Sequence, residues 1–164
     1  MARHSELWLS VAAFAISAVS VTAPAHAAAC WSQADVSAAK VHELQARLLA
    51  AAKECQASGV DILASYDKFV AARHAALIAA DDRLKAHFLS SGDDLGYDRY
   101  AAALDQAYGT TEASQASCTE AAALVQEVTS ARDDLTTVAA REIDTATLPS
   151  SLCPVDRPVV LAAR

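Results

Sequence analysis

The chain has 164 residues, 54% of them apolar but only 5% aromatic, with a formal net charge of −7 and a pI near 5.1. Forty-one alanines stand against four glycines and four prolines, which excludes a collagenous repeat, a Gly/Ser linker protein and a glycine-turned β-sandwich. The acidic balance argues against nucleic acid as a partner, because phosphates call for clustered Lys and Arg.

Residues 1–27 read as a cleaved export signal. Arg3 and His4 form a short polar start, Leu7 to Val21 an apolar run, and Pro24 ends that run. Ala25-His26-Ala27 then supplies the small-x-small site that a signal peptidase reads. The run falls short of the roughly 20 residues that cross a bilayer as a helix, so a retained anchor is the weaker reading. Lipidation at Cys30 is a second alternative, and it would leave an odd number of cysteines. Later in the chain, charges interrupt every apolar stretch, so no integral membrane span is expected after processing. Processing removes Arg3 and Glu6 together and leaves the net charge unchanged. Trp31 is then the one tryptophan, and no methionine remains.

The mature chain reads as a helical bundle over 28–148 followed by a proline-containing tail over 149–164. Ser32 followed by Asp35 is a capping-box-like start, and Val41, Leu44, Leu48, Ala52 and Cys55 then recur at helical spacing until Gly59. A second helix runs from about Asp61 to Ser90 on the stripe Ile62, Tyr66, Phe69, Val70, Leu77, Leu84 and Phe88. Asp94, in the turn Ser90–Asp94, reads as the cap of a shorter third helix carrying Tyr100, Leu104 and Tyr108 to Gly109. A fourth helix opens near Thr111-Glu112 and carries Leu124, Val125, Val128, Leu135, Ala139 and Ile143. Pro149, Pro154 and Pro158 keep the tail extended, and Val159-Val160-Leu161 reads as a strap or a fraying end. The expected fold is all-α: an up-down antiparallel bundle of three long helices and one shorter one.

Cys30, Cys55, Cys118 and Cys153 are an even set in a chain read as exported, which implies two disulfides. A continuous helix between Cys30 and Cys55 would hold them on the order of 37 Å apart, beyond the reach of a disulfide. Short connections make successive helices antiparallel, and that order pairs Cys55 with Cys118 and Cys30 with Cys153. No C-x-x-C is present, which argues against a redox dithiol, a zinc ribbon or attached haem.

Four side chains form a candidate anion site. At 100° per residue, Arg73 falls inside the stripe of the second helix and Arg132 inside that of the fourth. Gln45 borders the seam of the first helix, and Tyr108 reaches a similar height. The arginine fork matches carboxylate or phosphate. The competing reading has each arginine snorkel to water or pair with acids such as Asp81 and Glu142. His42, His74 and His87 make no ligand pair at i,i+4, so no metal is expected. Asp81-Asp82 and Asp133-Asp134 read as solvated helix faces. No cofactor motif is present.

The chain resembles short bacterial exported proteins of unknown function in Cys30-Trp31, Lys40-Val41 with Leu44-Gln45, Cys55 and Tyr66-Asp67-Lys68-Phe69-Val70. That resemblance covers the first two helices and brings no activity. Arg73, Arg132 and Gln45 are also similar to the arginine and Glu/Gln site chemistry of secreted chorismate mutases, although the arginine-to-lysine spacing of that family is not reproduced around Arg47 and Lys53. The cysteine spacing of plant pectin-methylesterase and invertase inhibitors and the L-T-x-x-Q motif of periplasmic stress chaperones are absent. The expectation is a periplasmic or secreted non-catalytic accessory protein, whose partner is another protein or a small anionic ligand. The alternative is an anion-binding bundle with mutase-like chemistry.

Overall fold

The computed structural model describes residues 30–109 and 113–153. Residues 1–27, expected to be an export signal, Thr111-Glu112 and the tail from Pro154, with Val159-Val160-Leu161, lie outside the described residues. Within them the chain is all-helical: α1 (Gln33–Ala57), α2 (Leu63–Ser90), α3 (Gly96–Tyr108), α4 (Gln115–Ser130) and α5 (Leu135–Glu142).

α1 begins where Ser32 and Asp35 form a reciprocal capping box, which satisfies backbone N–H groups that no helical carbonyl can reach. It ends at Ser58, and Gly59 follows at φ +83°, a left-handed turn that costs glycine little. Trp31, Ala39, Val41, Leu44, Leu48, Ala52 and Cys55 are almost wholly buried along this segment. α1 packs against each of the other four helices, so it is the central rod. Alanines at 38, 39 and 52 let neighbouring backbones come close, and the bulk of the core falls to Leu44, Leu48, Phe69, Leu84 and Leu104.

α2 runs back along α1 and buries Tyr66, Phe69, Leu77, Leu84 and Phe88. At the following turn Gly96 sits so close to Phe88 that a Cβ there would lie 2.3 Å from the ring. Only glycine fits that approach. α3 starts without a side-chain cap, because its N-cap position is Leu95. Asp94 therefore does not cap it; Asp93 closes the turn instead, its carbonyl accepting from the Gly96 N–H at 2.9 Å and its carboxylate pairing with Arg99.

The single fourth helix expected from periodicity is two helices. α4 stops at Ser130, Ala131 turns extended (φ −55°, ψ 137°), and Asp134 caps α5 by accepting from the Thr137 N–H at 2.9 Å. A short acid beside two threonines offers the backbone local hydrogen bonds that compete with helical ones. Asp133-Asp134 are solvent-exposed as expected, but they lie in the turn between two helices and not on a helix face. The apolar period survives the break because Val125 and Val128 of α4 and Leu135, Val138 and Ala139 of α5 face the same core.

The disulfides join Cys30 to Cys153 (Cα–Cα 4.7 Å) and Cys55 to Cys118 (5.5 Å). The Cys30 sulfur forms a disulfide here, and a lipid thioether would need that same atom. Around the first bridge the two ends of the described chain clasp. The Trp31 N–H donates to the Ser151 carbonyl, the Cys153 N–H to the Trp31 carbonyl and the indole N–H to Ser150 Oγ, each at 3.0 Å. The Trp31 ring closes this pole of the bundle, 4.2 Å from the His87 ring and edge-on to Phe88.

Candidate functional site

The four residues expected to form an anion layer do not converge. Arg73, half-buried on α2, spends its guanidinium on backbone: Nε donates to the Val128 carbonyl at 3.0 Å, Nη2 to Ala131 and Nη1 to Asp133 at 3.3 Å. These carbonyls lie at the end of α4 and in the turn beyond it, where no helical N–H is left to meet them. A cation there also complements the helix dipole. Arg132 lies in the same turn but is exposed to solvent. Gln45 lies beside Tyr66, whose hydroxyl is pushed up from its ordinary pKa, chiefly by burial. Tyr108 donates to Glu43 Oε1 at 2.6 Å. Neither arginine pairs with Asp81 or Glu142.

Three polar clusters knit the helices together instead. Glu43, only 2% exposed on α1, accepts from the Tyr108 hydroxyl, the Thr147 hydroxyl (2.9 Å) and the Thr147 N–H (2.8 Å). It thereby ties α3 and the segment after α5 to the central helix. Burial, together with the bond to Glu43, pushes the Tyr108 hydroxyl up to about 12. Tyr100, close by, is buried with no partner for its hydroxyl and is likewise pushed up, mainly by burial. A second cluster places His42 Nδ1 2.9 Å from Asp81 Oδ1. Burial raises the Asp81 carboxyl, but His42, Tyr97 and Lys85 together outweigh it and hold the pKa low. Asp81 is thus an interhelical partner, not a solvated face residue. The third cluster is Asp35, which meets Arg83 Nε at 2.5 Å and His87 Nδ1 at 3.3 Å. His87 is buried against Trp31 while His74 is exposed, so the two share nothing.

Glu43 and Asp35 were missed as interior groups. The usable signal was α1 itself: a helix with apolar residues on nearly every side buries its acids too. Among the described residues, no group of three His, Cys, Asp or Glu side chains is placed to hold a metal ion.

A concavity lies beside these contacts as well. A groove of about 380 Å³ lies between α1 and α4. Its α1 wall is Arg47, Leu48, Ala50, Ala51 and Glu54, and its α4 wall includes Glu120, Ala121 and Leu124. Tyr108 and Glu142 border it, and the Cys55–Cys118 disulfide ties its two walls together. Small side chains create the space: alanine at 50, 51 and 121 leaves room that leucine would fill. The volume is within the range of small-ligand sites. Among the described residues, Arg47 takes part in no ion pair and the buried Glu54 Oε1 meets no hydrogen-bond partner. The groove therefore joins an apolar floor to a carboxylate whose hydrogen bonding is incomplete. Compared with protein-family models, with curated proteins and with solved structures, the chain matches none.

Proposed function

We propose that the protein is an exported, non-catalytic accessory bundle that acts by holding a ligand in the groove between α1 and α4. The observation that carries this reading is the groove itself. It is an open, mostly apolar concavity, fixed at one end by a disulfide, floored by the core residue Leu48 and walled by Arg47, Glu54, Glu120 and Ala121. By contrast, Arg73, Glu43, Asp35 and His42 are engaged by partners within the fold.

Export is supported by two observations. Ala25-His26-Ala27 after an apolar run fits signal-peptidase cleavage, and two disulfides are typical of periplasmic or extracellular proteins. The test is a fragment screen by methyl NMR on the oxidised protein. Shifts clustered on Leu48, Ala51, Ala121 and Leu124, abolished in Ala121→Phe, are the expected result. Ligands that map elsewhere, or turnover of any compound, would overturn it.

A further inference from the structure

We propose that the α1/α4 groove takes a small organic monocation: a primary ammonium group on an apolar body, with the ammonium at Glu54. This rests on the reading of the groove as a ligand site and names the ligand's chemistry.

Glu54 is the reason. A carboxylate oxygen buried without a donor carries an uncompensated desolvation cost, and Glu54 Oε1 is in that state. The terminal torsion of a glutamate is broad, so the carboxylate can turn toward a donor seated in the groove that its side chain lines. The best such donor is a charged N–H, since charge-assisted bonds are about twice as strong as neutral ones. Glu120 and Glu142 also line the groove. Glu142 is shared with Arg141 at 3.6 Å, whereas among the described residues no ion pair engages Glu54 or Glu120. Glu120, two residues beyond Cys118, stands with Glu54 at the disulfide end of the groove, where the field favours a cation.

Arg47 sets the limit on that cation. It lies seven residues before Glu54 on the same face of α1, about 10 Å away along the axis, and it lines the same groove. A second positive charge at the far end of the ligand would meet the guanidinium. Between the two charges run Ala50, Ala51, Ala121 and Leu124, an apolar track that rewards burial of a hydrocarbon body. One charge at one end and hydrocarbon behind it is the complementary shape.

The test is a methyl-NMR titration of the oxidised protein with four matched probes: octylammonium, octanoate, 1-octanol and 1,8-octanediammonium. Octylammonium should bind most tightly, shifting the methyls of Ala50, Ala51, Ala121 and Leu124. Glu54→Gln, nearly isosteric and checked for an unchanged melting curve, should weaken it at least tenfold. The diammonium should bind more weakly than the monoammonium in wild type and recover in Arg47→Ala. Octanoate or octanol binding as tightly as octylammonium, or a Glu54→Gln variant that binds unchanged, would overturn the ligand class while leaving a groove ligand in place. Groove methyls that respond to none of the four probes, with a fragment screen equally silent there, would overturn both the ligand class and the groove reading.

Discussion

Glu43 stands among valines, leucines and alanines, and each of its oxygens is occupied by Tyr108 or Thr147. Its worth lies in what its loss would strand. Truncation would leave the half-buried Tyr108 hydroxyl and the Thr147 N–H without this acceptor and a gap at a buried position, where a fully buried unmet group costs about 1–3 kcal/mol. Glu43→Ala is therefore expected to destabilise the fold by roughly 3 kcal/mol. Tyr108→Phe, which removes one donor, is expected to cost about 1 kcal/mol. Urea midpoints at neutral pH would measure both, and a Glu43→Ala protein as stable as wild type would contradict this account. Neither residue's role was legible in the sequence. Glu43 looks like a surface glutamate in a helical string, and Tyr108 was placed in an anion site. A side chain's partner lies on another element, and in the chain it is 65 residues away for Tyr108 and 104 for Thr147.

At the scale of elements, the start of α1 shows how a local motif acquires a distant partner. The capping box of Ser32 and Asp35 is visible in the sequence, but Arg83 and His87 reach Asp35 from α2. Burial pushes the Asp35 carboxyl up, yet the Ser32 hydroxyl and the Arg83 guanidinium outweigh it and set the pKa below the ordinary aspartate range. A carboxyl held low in the folded state stabilises the fold at pH values above its unfolded pKa of about 3.9. That contribution fades as pH falls through the lower folded value. Asp35→Asn should thus lose about 2 kcal/mol at pH 7, and the gap from wild type should shrink at pH 3. Denaturant midpoints at the two pH values would check the sign, and a gap that widens in acid would contradict it. The break between α4 and α5 is the complementary case. Asp134, whose carboxyl is lowered to about 2 chiefly by the Thr136 hydroxyl, then by the Thr137 N–H and hydroxyl, starts a new helix after α4 stops at Ser130. Periodicity missed it because both pieces bury the same stripe.

For the whole molecule the two disulfides act on opposite ends. One ties α1 to α4 beside the groove; the other closes the chain ends around Trp31. Loops as long as 63 and 123 residues make each bridge worth about 4 kcal/mol in the chain-entropy model, a large share of a typical domain's stability. A Cys55→Ala/Cys118→Ala double variant should lose about that much. Wild type should also melt markedly lower in dithiothreitol. Free thiols in protein purified without reductant, or melting indifferent to dithiothreitol, would contradict this view.

The sequence by itself determined the all-helical class and the approximate bounds of the first three helices. Alanine content, helical periodicity and the Ser32 cap are local properties that each segment carries alone. It also determined which cysteines can meet, because a rigid rod keeps Cys30 and Cys55 apart and antiparallel order does the rest. Only the tertiary structure decided where the polar side chains went: Arg73 onto the end of α4, Asp81 onto His42, Glu43 onto Tyr108 and Thr147. It alone revealed the groove. Burial and hydrogen bonding there depend on which faces of separate helices are brought together, and a helix's own period says which side is apolar but not what stands opposite.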